Sequence, residues 1–132
     1  MQKSSQSLVD EANAAITTYS VEQIVARLQD PQLQLIDVRD VRELEREGII
    51  PGAFHAPRGM IEFWVDPASP YFKPIFAEKK EFVFFCAAGW RSALTTKTVQ
   101  EMGLSPVAHI AGGFSAWKAA GAPVAEKTSS KK

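Results

Sequence analysis

Cys86 is the only cysteine of the chain, and four residues, Ala87-Ala88-Gly89-Trp90, separate it from Arg91, with Ser92 next. That arrangement is suited to nucleophilic chemistry, provided the thiol ionises. A free cysteine near pKa 8.5 is only about 3% thiolate at pH 7, and lowering that value by roughly two units, worth about 2.7 kcal/mol, makes it mostly ionised. Backbone amides of residues 87 to 92 turned inward at the positive end of a helix would favour the anion, and Arg91 would add a full charge. The competing assignment for a strand-end cysteine is a small buried apolar residue.

The flanking segments have the character needed to hold such a loop. Phe82-Val83-Phe84-Phe85 is apolar and β-prone, as in a strand buried on both faces. Thr95, Val99 and Met102 mark one side of a helix after Cys86, which Gly103 ends. Upstream, Ile16 to Tyr19 predicts a short strand, Ser20 with Gln23 a capping box ahead of Val21, Ile24, Val25 and Leu28, and Leu33 to Asp37 a second strand. Asp40 with Glu43 repeats the capping pattern for a helix ending at Gly48, and Val107 to Ile110 predicts a last strand before Gly112-Gly113 and a helix through Trp117. Strand and helix in alternation imply a parallel sheet.

In such a sheet ligands bind at the carboxyl ends of the strands, so Asp37 and Arg39 are candidates for supporting the cysteine loop, against a purely structural role as cap and ion pair. Residues 58 to 80 interleave Phe63, Trp64, Tyr71, Phe72 and Phe76 with Pro67, Pro70 and Pro74, and keep no sustained period. They predict a long, proline-stiffened connection that either walls the site or covers a satellite core. Within it, Arg58 and Lys73 are candidate holders of an anionic group. His55 and His109 are assigned to core or edge positions rather than to the site.

Bulk properties bound the rest. With 132 residues, 45% hydrophobic, the chain is expected to form one domain with a sizeable core. Fifteen basic and fifteen acidic residues cancel, which points to neither nucleic acid nor a membrane surface as partner. One cysteine and the lack of a signal-length apolar run near the N-terminus lead to an expected cytoplasmic location. One cysteine and two separated histidines make no metal site. Residues 1–15 are expected as an N-terminal extension, helical but frayed over 1–7, residues 16–124 as the folded domain, and 125–132 as a disordered tail.

The loop Cys86 to Ser92 resembles the active-site loop of the rhodanese sulfurtransferases. Leu35-Ile36-Asp37-Val38-Arg39-Asp40, Gly48-Ile49-Ile50-Pro51-Gly52-Ala53-Phe54-His55 and Ala111-Gly112-Gly113-Phe114-Ser115-Ala116-Trp117 are similar to that family's other signatures, in the same order. The resemblance implies an α/β domain of three layers, with a central, mostly parallel five-stranded sheet and helices on both faces. It implies a sulfurtransferase in which Cys86 takes a sulfane sulfur from thiosulfate or a persulfide and hands it to a thiol, cyanide or an acceptor protein, without a cofactor. Cys86 and Arg91 would be catalytic, Ala87, Ala88, Gly89, Trp90 and Ser92 would bind the persulfide, and Asp37, Arg39 and Arg58 would support them. Cysteine-dependent phosphatases resemble a longer Cys-x5-Arg loop and usually carry histidine where Phe85 stands. The remaining alternative is a catalytically silent binding module of the same fold. Ala87 and Ala88 depart from the polar side chains frequent in members acting on thiosulfate.

Overall fold

The computed structural model describes residues 1–128, and its architecture follows from the two-residue period of its strands. Five strands, β1 (Thr17–Tyr19), β2 (Leu33–Asp37), β3 (Phe54–His55), β4 (Glu81–Phe85) and β5 (Val107–Ile110), form one sheet in the order β1-β5-β4-β2-β3. Every pairing is parallel. Along β4, Phe82, Phe84 and then Cys86 point to one face, Val83 and Phe85 to the other, and all five are buried. A strand apolar on both sides needs cover on both sides, which is why helices sandwich this sheet.

On the Cys86 face lie α4 (Ile61–Val65) and α5 (Trp90–Glu101), contributing Ile61, Val65 and Val99 to a core with Ile36, Phe82, Phe84 and Val107. On the opposite face, α2 (Val21–Val25) and α6 (Gly113–Ala119) bury Val21, Ile24, Phe114 and Trp117 against Leu35, Val83, Phe85, Ala108 and Ile110. Burying each large apolar side chain of this kind contributes on the order of 1.5–3 kcal/mol. Both capping boxes form: Ser20 with Gln23 opens α2, and Asp40 with Glu43 opens α3 (Val41–Glu47).

Four differences from the sequence reading have physical causes. The N-terminal helix α1 (Ser5–Ala15) begins inside the segment expected to fray, because the Ser4 hydroxyl caps the Ser7 amide, and Val9 and Ala12 pack with Ala93 of α5. The fifth strand is the two-residue Phe54–His55, too short to leave a periodic signal. The 58–80 connection contains a 3₁₀ turn at Arg58–Met60, α4, and a second 3₁₀ turn at Pro74–Ala77, and it packs Trp64, Phe72 and Phe76 on the core. At the other end, Ala125 exchanges two backbone hydrogen bonds with Ile49, of 2.8 and 2.9 Å, so the chain is still paired where a disordered tail was expected to start. Residues 129–132 of that expected tail lie outside the described residues. No helix among the described residues is long and apolar enough to cross a membrane.

Candidate active site

Strand β4 carries Cys86 to the carboxyl edge of the sheet, and α5 starts four residues later. Gly89 joins the two with φ +109°, a left-handed conformation that favours glycine. In that conformation the Gly89 amide donates to Cys86 Sγ at 3.1 Å, and the Ser92 amide, in the first turn of α5, donates at 3.3 Å. The thiol donates in turn toward Ser92 Oγ at 3.6 Å. Two amides, rather than the whole run from 87 to 92, therefore reach the sulfur, which also sees the positive end of a twelve-residue helix.

The loop carbonyls are held away from the sulfur by α6. Phe114 donates to the Cys86 carbonyl at 2.7 Å and Ser115 to that of Ala87 at 3.0 Å. This docking demands glycine at 113: its φ is +57°, and an added Cβ would lie 2.3 Å from the Cys86 oxygen. Cys86 itself is only 1% exposed and packs within the apolar cluster of Ile36, Val38 and Phe84, so it is at once a core residue and the centre of a hydrogen-bonded cradle.

Arg91 does not hydrogen-bond the sulfur. Its guanidinium grips Glu43 of α3 in a bidentate pair, Nη1 to Oε1 at 2.7 Å and Nη2 to Oε2 at 2.9 Å. Arg91 holds the Glu43 carboxyl down at about pKa 2, with the Asp40 amide as a weaker contributor against the opposing effect of burial. The same pair raises Arg91 above its ordinary value, with lesser attraction from Cys86 and Asp37. Glu43, read in the sequence as part of a helix cap, is thus also the counter-ion that ties α3 to the start of α5.

Of the expected supporting residues, Asp37 and Arg39 belong to the scaffold. They form a fully buried pair, Arg39 Nη2 to Asp37 Oδ2 at 2.7 Å, and Asp37 also caps the Arg39 amide. The guanidinium lies over the Phe114 ring at 4.1 Å and donates to the Gly48 carbonyl, which clamps α6 and the end of α3 to β2. Arg58 is turned to Glu62 one helical turn on, and Lys73 to the face of Trp64. Neither hydrogen-bonds the cysteine loop. Trp90 is 65% exposed and lines a cleft with Asn13 and His109.

His109, set aside in the sequence, proves to be adjacent to the loop. Its Nδ1 is 2.9 Å from Ser92 Oγ and its Nε2 is 3.1 Å from Asn13 Oδ1. Burial pushes its pKa down to about 4, so the ring is neutral at pH 7. A signal for this placement existed: in register with Phe84, His109 shares the face that alternation assigns to Cys86. His55 instead hydrogen-bonds the Arg39 carbonyl through Nε2. Among the described residues, no group of three or more His, Cys, Asp or Glu could hold a metal ion.

Comparison with known proteins places this geometry. The rhodanese-like domain family matches residues 20–120. The chain is 37% identical over 89 residues to YtwF of Bacillus subtilis, provisionally named a sulfurtransferase, an alignment covering 67% of this chain and 77% of that protein. A solved structure from Rhodopseudomonas palustris, described as of unknown function and a possible tyrosine phosphatase, superposes with a TM-score of 0.92 at 51% identity, covering 95% of this chain and 96% of that one. The polysulfide-sulfur transferase of Wolinella succinogenes superposes with a TM-score of 0.68 at 28% identity, covering 94% and 88%.

Proposed function

The chain belongs to the rhodanese-like domain family, and on that premise we propose that it is a sulfurtransferase that carries sulfane sulfur as a Cys86 persulfide. The observation that supports this most directly is the sulfur itself, which accepts from the Gly89 and Ser92 amides at the head of α5. Those donors are fixed before reaction, so they stabilise an anion without reorganising.

In the proposed cycle the Cys86 thiolate attacks the outer sulfur of a donor. The Sγ–S bond forms, the donor's S–S bond breaks, and its electron pair leaves with the remainder, as sulfite from thiosulfate or as a thiolate from a persulfide. An acceptor nucleophile then attacks the outer sulfur, the Sγ–S bond breaks, and the thiolate is restored. Such a covalent relay runs with ping-pong kinetics. The amides of Ala87, Ala88 and Trp90, which do not donate to Sγ, remain available to an outer sulfur. With only alanine side chains at 87 and 88, and Arg91 committed to Glu43, the mouth supplies little free charge for a dianion. We therefore favour a persulfide or polysulfide donor over thiosulfate.

The phosphatase description of the Rhodopseudomonas structure motivates a second reading. Two features weigh against it: only four residues separate Cys86 from Arg91, which makes a smaller ring than a tetrahedral phosphate needs, and the guanidinium that would grip the phosphate is paired with a carboxylate. A silent binding module is the third. Incubation with a low-molecular-weight persulfide, then intact-mass measurement, should show a gain of one sulfur atom that cyanide removes and that Cys86→Ser lacks. No adduct from any sulfane donor, together with turnover of an aryl phosphate, would transfer the assignment to the phosphatase.

A further inference from the structure

Cys86, only 1% exposed, is connected toward the surface by hydrogen bonds that pass through Ser92 and His109 to Asn13. With the Asn13 oxygen facing the ring, they run in one direction. Nε2–H donates to Asn13 Oδ1, which leaves Nδ1 to accept the Ser92 hydroxyl, which leaves Ser92 Oγ to accept the thiol hydrogen. Every member of this line can reverse: a hydroxyl rotates, a neutral imidazole has two tautomers, and a carboxamide offers oxygen or nitrogen by turning over. Asn13 sits on α1, outside residues 20–120, and is exposed beside a cleft of about 410 Å³.

We propose that His109 and Asn13 are positioning residues that act on Cys86 through Ser92, carrying the thiol proton to solvent and then donating a hydrogen bond back to the thiolate. The proposal rests on the sulfurtransferase reading only for the use made of the thiolate. The proton balance is complete: the thiol hydrogen passes to Ser92 Oγ, the hydroxyl hydrogen passes to His109 Nδ1, and the hydrogen on Nε2 leaves to water in the cleft. Asn13 then turns its Nδ2–H toward Nε2, His109 donates from Nδ1 to Ser92, and Ser92 donates to the sulfur anion. The ring is neutral before and after, which suits a site where burial disfavours its charge. The sulfur thereby gains a third donor beside its two amides, and α1 becomes part of the site.

Among the described residues, no other charge near these groups is free to imitate the effect. On α5, Arg91 is paired with Glu43 and Lys97 with Glu101; on α1, Asp10 is bonded by Gln6 and Glu11 by Lys3. On β2, Asp37 is paired with Arg39, and the titratable groups of β1 and β4, Tyr19 and Glu81, bond each other and Arg27. The remaining neighbours of Cys86 in its cluster are apolar.

The test is the pH dependence of iodoacetamide alkylation, which reports Cys86 alone because the chain has one cysteine. His109→Leu should raise the midpoint by about one unit, the size expected for one lost hydrogen bond to an anion, and His109→Asn, whose amide offers a donor where Nδ1 stood, should recover much of it. Asn13→Ala, at an exposed position that leaves the core intact, should raise the midpoint by roughly 0.3–0.5 unit with an unchanged melting temperature. A midpoint unmoved by Asn13→Ala, or one raised equally by His109→Leu and His109→Asn, would overturn the proposal. Since alkylation needs no sulfur donor, a protein that fails to form a persulfide yet shows these shifts would lose the sulfurtransferase reading and keep this one.

Discussion

Replacing Gly113 by alanine tests the idea that α6 shapes the sulfur cradle by turning the loop carbonyls outward. The added Cβ would stand 2.3 Å from the Cys86 oxygen and 2.9 Å from the Ala87 carbonyl carbon and oxygen, all backbone atoms that cannot swing aside as a side chain would. To restore even a 3.0 Å contact, loop and helix must part by about 0.7 Å, which weakens the Phe114 and Ser115 bonds to the Cys86 and Ala87 carbonyls. A left-handed alanine costs roughly 1–2 kcal/mol, and each weakened bond roughly 0.5–1.5 kcal/mol, so the expected loss is about 3–4 kcal/mol. For a domain of this size that is roughly 10–15 °C in Tm. Gly52 supplies the control: its φ is +86°, but a Cβ there meets nothing within 4 Å. Gly52→Ala should therefore carry only the conformational cost, roughly 1–2 kcal/mol. Differential scanning calorimetry gives both values, and iodoacetamide alkylation at pH 7 reads the cradle. It should slow roughly tenfold in Gly113→Ala, because displacements near 1 Å are costly at a reacting centre, and be unchanged in Gly52→Ala. Equal Tm losses for the two variants, or an unaltered alkylation rate in Gly113→Ala, would refute the claim that α6 docking sets the loop.

Acid should destabilise the protein in two steps. His109, depressed from 6.5 to about 4, takes up its proton more readily when unfolded, so stability is full above pH 6.5 and declines by about 2–3 kcal/mol as pH falls toward 4; urea titrations should show this step in the parent and not in His109→Leu. Glu43, depressed from 4.5 to about 2, adds a contribution that is present above pH 4.5 and fades as pH falls toward 2. Because Arg91 is partly exposed, Glu43→Gln at pH 7 should cost only about 1–2 kcal/mol, read by denaturant midpoint. Asp37→Ala strands a buried guanidinium and should cost about 3–5 kcal/mol; a variant that keeps its Tm and loses only sulfur transfer would make Asp37 catalytic instead of structural.

Sequence signals located most strands and helices of the domain, including those that flank the sulfur, because those elements are specified locally. The run Phe82 to Phe85 can be buried only as a two-sided strand, Ser20 with Gln23 and Asp40 with Glu43 start helices by hydrogen bonds three residues apart, and Gly89 marks a turn whatever surrounds it. Phe54–His55 escaped for the opposite reason, since two residues hold no period and are a strand only because β2 lies alongside. The 58–80 connection likewise helixes over Ile61–Val65 because the sheet face below buries Ile61 and Val65.

By itself the chain determined which atom is the candidate nucleophile: one cysteine, at the end of an apolar strand, before a glycine turn and a helix. Only tertiary structure decided its partners. Glu43 takes Arg91 across 48 residues and Asn13 reaches His109 across 96, separations at which side-chain pairing depends on how helices pack and leaves no local pattern to read.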